Sequence, residues 1–283
     1  MITGQTRVFG LVGHPVRHSL SPAMHNELFR RKQVDAIYAA FDVAPSAAGT
    51  VAQAIRTLGL AGVNLTVPFK EAVLPDLDGY SPGARLAGAV NVVLLQNGEL
   101  IGHNTDGLGY LRALKEEMGV DPLARTAAIL GAGGTARAVA AALAGDGVVS
   151  VTFFNRTLER AERACDALGR AYAGCRFQAA PLASSAFRIY SPSFDLIVNC
   201  TSGGAVEAVA GLDVRGLRAG AVWTDANYWM SDPPQLVTCA GRGVRIQRGM
   251  GMLVHQGAES FRLFTGVPVD GDTVRGVLDL GGW

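Results

Sequence analysis

Short apolar runs alternate with amphipathic helical segments along almost the whole chain. This alternation is typical of α/β proteins, in which helices connect the strands of a parallel sheet. The first third of the sequence predicts strands at 8–12, 37–43, 61–67 and 89–95, and helices at 22–32 and 46–58. Asn97-Gly98 lies between two apolar runs and predicts a β-hairpin, because both positions tolerate positive φ.

The rest of the chain continues the same pattern. It predicts strands at 127–130, 150–154, 196–198 and 221–224, and helices at 108–118, 135–144 and 158–168. The stretch 183–193 has no clear period, so we expect a loop there. A last helix is expected at 253–265, followed by a tail.

The length and the charge balance narrow the class of protein. A chain of 283 residues is longer than one typical core fills, so two domains facing a cleft are expected. Hydrophobic residues make up 49% of the chain, and 25 Lys+Arg nearly balance 24 Asp+Glu. A protein that binds nucleic acid should be basic, so this balance gives no support to that class.

The cysteines and the apolar segments narrow the class further. Cysteine occurs at positions 165, 175, 200 and 239 without a Cys-x-x-Cys pair or histidines at zinc-ligand spacing. Neither a disulfide framework nor a metal site is therefore indicated. The opening apolar run is too short for a secretion signal, and no run approaches the roughly 18 residues of a membrane span. We expect a cytoplasmic protein.

A glycine cluster follows the predicted strand 127–130. It comprises Gly131, Ala132, Gly133, Gly134 and Thr135, where a helix begins. Bare backbone N–H groups and the positive end of that helix can face a pyrophosphate. The cluster matches only part of the dinucleotide fingerprint, because Ala136 takes the place of the third glycine. Alone it fits equally a turn that lets a strand and a helix pack closely.

The end of the next strand distinguishes the two nicotinamide cofactors. NAD-binding enzymes usually place an acidic residue there to hold the ribose 2′-hydroxyl. This chain has Asn155-Arg156-Thr157 instead, with Arg160 one turn further on. A guanidinium can make a two-pronged contact with a 2′-phosphate, so NADP is favoured over NAD. The alternative is a solvated helix start that happens to be basic.

Three polar clusters stand at the ends of strands in the first domain, where α/β proteins bind ligands. Ser19 and Ser21 precede a helix; one of them could be an N-cap, but capping needs only one. Lys70 ends the cluster 62–70, and a lone lysine is ordinarily a solvated charge. Asp106 lies in the turn 102–107, where an Asx turn or a helix cap is the alternative.

Taken together and in this order, these clusters resemble the shikimate dehydrogenase family, from Gly13 to Gly266. The segments that carry the resemblance are HSLSPAMHN (18–26), NLTVPFK (64–70), GAVN (88–91), NTDG (104–107), GAGGTAR (131–137), NRT (155–157), NCTS (199–202) and GMGMLVHQGA (249–258). The resemblance implies an N-terminal α/β substrate domain and a Rossmann-type NADP-binding domain with a cleft between them. The expected bounds are 1–105, completed by 249–283, and 106–248.

The resemblance also implies roles for individual residues. Ser19 and Ser21 would hold the substrate carboxylate, and Tyr228 would lie near the substrate. The ring hydroxyls would be bound by Thr66, Lys70, Asn91, Asp106 and Gln256. The cofactor would contact Gly131, Ala132, Gly133, Gly134, Thr135, Asn155, Arg156, Thr157, Arg160, Ala226 and Gly249. Lys70 and Asp106 would be the catalytic pair.

The chemistry of alcohol oxidation agrees with that pair. Removing a hydride from a secondary alcohol leaves a proton on oxygen, so a base and a stabilising positive charge are needed. An ammonium beside a carboxylate offers both. A free lysine is protonated at neutral pH, so which of the two residues takes the proton stays open.

Some positions depart from the pattern of the family. Val92 replaces the usual threonine after Asn91, the segment 226–236 lacks the commoner Tyr-x-Pro pattern, and Gly203-Gly204-Ala205 lacks the usual methionine.

The nearest alternative function is that of an enzyme that acts on quinate, or on both quinate and shikimate, and quinate specialists often prefer NAD. A non-catalytic dinucleotide sensor would not need Lys70 and Asp106, and a folate-type dehydrogenase would not need the paired serines. A monomer or a homodimer is expected.

Overall fold

The structure is a computed structural model that describes residues 2–230 and 232–280. The chain divides into two compact units. Unit 1 comprises Met1–Gly109 and Val254–Trp283, and unit 2 comprises Tyr110–Leu253. Asp106 thereby belongs to unit 1, whereas the second domain was expected to begin at this residue. Residues 281–283 of the expected first domain lie outside the described residues.

Unit 1 is built on a mixed sheet. Its strands are β1 (Arg7–Gly13), β2 (Ala36–Asp42), β3 (Gly62–Leu65), β4 (Gly79–Tyr80), β5 (Val92–Gln96) and β6 (Glu99–His103). They are arranged in the order β2-β1-β3-β5-β6-β4. Its first helices are α1 (Ser21–Arg31), α2 (Val51–Leu58), α3 (Phe69–Ala72), α4 (Pro82–Ala87) and α5 (Asp106–Arg112), the last of which continues into unit 2.

The strands of unit 1 do not all run parallel. Strands β1, β2 and β3 are parallel, but β5 pairs antiparallel with both β3 and β6. The hairpin at Asn97-Gly98, where φ values of 52° and 84° turn the chain directly from β5 into β6, makes these two strands antiparallel. The hairpin prediction itself is confirmed.

Unit 2 is built on a parallel sheet. Its strands are β7 (Thr126–Leu130), β8 (Ser150–Asn155), β9 (Arg176–Pro181), β10 (Leu196–Asn199), β11 (Val222–Asp225) and β12 (Arg245–Gln247). Its helices are α6 (Gly134–Gly145), α7 (Leu158–Ala171), α8 (Ser184–Tyr190), α9 (Val206–Ala210) and α10 (Pro234–Gly241). The strand order β12-β11-β10-β7-β8-β9 is that of a doubly wound sheet, with the order reversing between β7 and β10.

Helix α11 (Met250–Thr265) begins in unit 2 and carries the chain back into unit 1, where α12 (Gly271–Leu280) follows. The expected last helix is thus present, but the expected tail forms α12. Val274 and Val277 of α12 are buried, and this spacing gives the helix an apolar face.

The loop expected at 183–193 is wrong. This stretch forms α8 and a short 3-10 turn at Ser191–Ser193. Phe187 anchors α8 by packing against Phe154 and Trp223, at centroid distances of 5.3 and 6.0 Å. A seven-residue helix in which Phe187 is the one buried residue has too little periodicity for the sequence pattern to reveal it.

Two predicted helices are confirmed only in part. The stretch 46–58 opens with a 3-10 turn at Pro45–Thr50 before α2 begins. The stretch 108–118 starts earlier, as α5, and then continues as a π-helical turn at Ala113–Glu117.

Within the described ranges, the helices are each too short or too polar to cross a bilayer.

Candidate active site

Lys70 and Asp106 form an ion pair in unit 1. Lys70 lies in α3, the single helical turn that follows β3, and the fully buried Phe69 beside it anchors that turn in the core. The Lys70 carbonyl accepts a hydrogen bond from Val90 N at 2.8 Å. The Lys70 Nζ and Asp106 Oδ2 atoms are 2.5 Å apart. The side chains are 18% and 5% exposed, so the pair is largely shielded from water.

Asn91 fixes the other oxygen of the Asp106 carboxylate. Its Nδ2 atom donates to Asp106 Oδ1 at 2.8 Å, while its Oδ1 atom accepts from the backbone of Thr105, also at 2.8 Å. Asp106 begins α5, and its own N–H donates to Asn104 Oδ1 at 3.0 Å. The carboxylate therefore accepts from an ammonium on one oxygen and from an amide on the other.

Gln256 joins this group from α11. Its Oε1 atom lies 3.5 Å from both Asn91 Nδ2 and Thr105 Oγ1. The close approach of α5 and α11 depends on Gly109, because a Cβ there would lie 2.6 Å from the Gln256 backbone nitrogen. The structure thus brings Lys70, Asn91, Asp106 and Gln256 together, as the resemblance implies.

Ser19, Ser21 and Thr66 lie at the carboxyl ends of neighbouring strands. Thr66 directly follows β3, and its N–H donates to the Val12 carbonyl of the parallel strand β1 at 3.0 Å. Ser21 opens α1, but the residue at the cap position is Leu20, and no side chain caps this helix. The capping alternative for the serines is therefore wrong. The Ser19 hydroxyl instead accepts from Ser21 N at 3.3 Å.

The glycine turn of unit 2 lies where the strand order reverses, between β7 and β10. Gly131 has a φ of 100°, which favours glycine, and its N–H donates to the Phe154 carbonyl at 2.8 Å. Gly133 occupies the cap position of α6, and Gly134 and Thr135 form its first turn. Backbone N–H groups at the start of a twelve-residue helix suit a pyrophosphate.

The Arg160 guanidinium lies beside this turn, and Arg156 directly follows β8. Arg160 places Nη2 4.0 Å from the point where a Cβ on Gly133 would lie, next to the glycine turn. Arg156 donates to the Gly204 carbonyl at 3.3 Å, in the segment after β10. Between them, Asn155 Nδ2 donates to the Thr157 carbonyl at 2.8 Å and shapes the turn into α7. These groups fit a dinucleotide that carries a phosphate on its adenosine ribose.

The segment after β11 carries Ala226 and Tyr228. The buried Asp225 accepts from Asn199 Nδ2 and from Asn227 Nδ2, each at 2.8 Å, and burial raises the pKa of this carboxyl. Asn227 also donates to the Thr201 carbonyl at 2.9 Å and accepts from Trp229 Nε1 at 3.3 Å. These bonds give the unusual segment a defined conformation.

Gly249 lies against the Asn227 backbone, so a larger residue has no room there. Among the residues that the structure describes, no group of His, Cys, Asp and Glu side chains could hold a metal ion.

Sequence reasoning missed several polar residues around the pair. Thr105 was quoted only as part of a motif, and Ser260 and Asn64 were given no role, yet all three are buried. The spacing of Ser260, one helical turn after Gln256, is a signal that could have identified it.

One unit has a doubly wound parallel sheet with a glycine turn at its switch point, and the other unit holds a shielded ammonium–carboxylate pair. Together these features define a dinucleotide-dependent oxidoreductase. Family comparisons agree over three segments. Residues 11–93 match the shikimate dehydrogenase substrate binding domain, residues 115–204 the shikimate / quinate 5-dehydrogenase family, and residues 249–278 the shikimate 5′-dehydrogenase C-terminal domain. The chain belongs to the shikimate dehydrogenase family.

Individual relatives match over nearly the full length. A protein of Geobacter metallireducens named shikimate dehydrogenase (NADP(+)) is 41% identical over 98% of both chains. The shikimate 5-dehydrogenase of Listeria monocytogenes in complex with shikimate and NAD is 33% identical and covers 98% of both chains, with a TM-score of 0.86. That of Thermus thermophilus in complex with NADP(H) and shikimate is 36% identical over 96% and 98%, with a TM-score of 0.82.

Proposed function

We propose that this chain catalyses the reversible, NADP-dependent reduction of 3-dehydroshikimate to shikimate, a step in the biosynthesis of aromatic amino acids. The observation that carries the proposal is the shielded Lys70–Asp106 pair, braced by Asn91, in a chain whose other unit has a glycine turn with the Arg160 guanidinium beside it. The name of the Geobacter metallireducens relative and the ligands of the Thermus thermophilus enzyme support it.

The substrate is a small carboxylate with several ring hydroxyls. Ser19 and Ser21 bind its carboxylate through their hydroxyl groups at the start of α1. Thr66, Asn91 and Gln256 hydrogen-bond the ring hydroxyls, and Tyr228 is a further substrate-binding residue. Fixed amide and hydroxyl groups discriminate well between substrates, since an analogue lacking one hydroxyl leaves a buried partner unpaired.

The cofactor is held by the backbone of Gly131, Ala132, Gly133, Gly134 and Thr135. Asn155, Arg156, Thr157 and Arg160 surround the adenosine ribose, and the two arginines bind its 2′-phosphate. Ala226 and Gly249 line the nicotinamide end. When bound, NADPH supplies the hydride that reduces the substrate ketone.

Lys70 and Asp106 transfer the proton to and from the substrate oxygen. During reduction, negative charge develops on the former carbonyl oxygen, and the Lys70 ammonium stabilises it and delivers a proton to it. Asp106 accepts a hydrogen bond from Lys70 and orients the ammonium, while Asn91 keeps the carboxylate in place. In the oxidation direction the same couple receives the proton of the alcohol.

We propose that the protein works in the cytoplasm. We also propose that it is a monomer or a homodimer, and light scattering can determine which of the two it is.

The experiment is an assay of purified protein with shikimate or quinate, each with NADP+ or NAD+. Formation of the reduced nicotinamide is followed by its absorbance, and kcat/KM is compared over the four combinations. We expect the highest value with shikimate and NADP+. A preference for quinate with NAD+ would overturn both the substrate and the cofactor, and an inactive protein that still binds NADP would favour a dinucleotide sensor.

A further inference from the structure

A chain of buried side chains links β3 to Gln256 within unit 1. Asn64 Nδ2 donates to Ser260 Oγ at 3.1 Å, and Ser260 Oγ lies 3.3 Å from Thr105 Oγ1. Thr105 Oγ1 in turn lies 3.5 Å from Gln256 Oε1. Ser260 is 0% exposed and Thr105 is 2% exposed, so bulk water does not compete for these contacts.

The directions of the two asparagine amides are determined by their backbone partners. A carbonyl oxygen only accepts, so the Asn64 atom 3.1 Å from the Asn91 carbonyl is the nitrogen. An N–H only donates, so the Asn91 atom 2.8 Å from Thr105 N is the oxygen. Asn91 Nδ2 therefore faces Thr105 Oγ1 and Asp106 Oδ1, both at 2.8 Å.

These fixed ends set the direction of the hydroxyl hydrogens. Ser260 Oγ accepts from Asn64, so its own hydrogen is available for Thr105. Thr105 Oγ1 accepts from Asn91 and can accept from Ser260, which leaves its hydrogen for Gln256. The Thr105 hydroxyl hydrogen thus faces one atom of the Gln256 amide, and only the carbonyl oxygen suits that place.

We propose that Thr105, supported by Ser260, is a positioning residue that turns the Gln256 amide so that its NH2 group donates to a substrate hydroxyl oxygen. The inference rests on the proposed function. The contacts to Gln256 Oε1 are long, at 3.5 Å, and such bonds commonly shorten when a substrate binds. Thr105 touches the substrate only through Gln256 and Asn91.

The test compares Thr105→Val, Thr105→Ser, Gln256→Ala and the Thr105→Val/Gln256→Ala double variant in shikimate oxidation with NADP+. Valine keeps the shape of threonine and removes the hydroxyl, whereas serine keeps the hydroxyl. We expect Thr105→Val to raise KM for shikimate about tenfold, the value of one oriented hydrogen bond. KM for NADP+ should stay unchanged, and Thr105→Ser should restore KM for shikimate.

The double variant distinguishes positioning from general loosening of unit 1. If Thr105 acts through Gln256, Thr105→Val adds little once the glutamine side chain is gone, so the two effects are not additive. Ser260→Ala should raise KM in the same direction but less. Ser191→Ala is the matched control, because this serine of unit 2 is equally buried and donates to the Arg188 carbonyl; it should leave KM unchanged.

Additive effects of Thr105→Val and Gln256→Ala would overturn the inference, as would a Thr105→Ser variant as impaired as Thr105→Val. Either result leaves the proposed function standing, since wild-type turnover of shikimate establishes that separately. A wild-type protein that does not oxidise shikimate would reject the proposed function and this inference with it.

Discussion

His25 makes the stability of unit 1 dependent on pH. The side chain is 1% exposed and lies among aromatic rings, with Tyr38 stacked on it at 4.6 Å and Phe264 edge-on at 5.5 Å. Within the described part of the chain its Nδ1 atom has no hydrogen-bond partner. Burial among these rings disfavours the charged imidazole and lowers the pKa of His25 from 6.5 to about 3.

The sign of the effect follows from the two states. In the unfolded chain His25 takes up a proton near pH 6.5, whereas in the folded chain it stays neutral down to about pH 3. Between these values the unfolded state binds more protons, so the free energy of unfolding falls as the pH falls. The slope approaches about 1.36 kcal/mol per pH unit below pH 6.5 and is smaller near it, so lowering the pH from 6.5 to 4.5 costs about 2.3 kcal/mol.

Urea unfolding at pH 7 and pH 4.5, followed by circular dichroism, measures this loss. Carboxylates also titrate in this range, so the comparison is with His25→Phe, which keeps an aromatic ring in the cluster. We expect wild type to lose about 2–3 kcal/mol more than His25→Phe. His18→Gln, which removes an exposed imidazole, controls for loss of a histidine as such. Equal losses in wild type and His25→Phe would refute the reasoning.

Three further outcomes are expected. Arg156→Ser should raise KM for NADP+ about tenfold or more, because a charge-assisted contact is lost, and should change kcat/KM with NAD+ little; equal losses with both cofactors would contradict this. Gly109→Ala should lower the free energy of unfolding by about 1–3 kcal/mol and raise KM for shikimate, since the new Cβ meets the Gln256 backbone; an unchanged urea midpoint and KM would count against it. Asp225→Asn should lower the free energy of unfolding by about 1–3 kcal/mol, because an amide whose oxygen accepts from Asn227 turns its NH2 towards the Asn199 Nδ2 donor; urea curves that coincide with wild type would argue otherwise.

The fold class and the strand positions were accessible from the sequence because they depend on local patterns. The strand before Gly131 is a short buried run, and Asn97-Gly98 has hairpin chemistry in its own two residues. The partner of a strand is not local, however. Nothing within β5 says that it pairs antiparallel with β3, so this pairing was not accessible from the sequence pattern.

The candidate site shows the same division. Lys70, Asp106 and Asn91 lie in motifs, so their types and order could be read directly, although no spacing in the chain tells that they touch. The roles of Thr105 and Ser260 could not be found this way, because spacing can place Ser260 one helical turn after Gln256 but does not say which groups its hydroxyl contacts. Their role depends on which donors and acceptors face them, and only the three-dimensional structure supplies those partners.

Proton transfer by Lys70 and Asp106 is the central step of the proposed reaction. The most direct measurement is kcat for shikimate oxidation against pH in wild type, Lys70→Ala and Asp106→Asn, with NADP affinity measured separately by fluorescence. Lys115→Ala is the matched control, because it removes a lysine paired with Asp146 at 2.7 Å in unit 2. We predict that kcat falls about 10²–10⁴-fold in both site variants at every pH, with NADP affinity and the control unchanged. Turnover equal to wild type in either site variant would contradict the account and remove that residue from the chemistry.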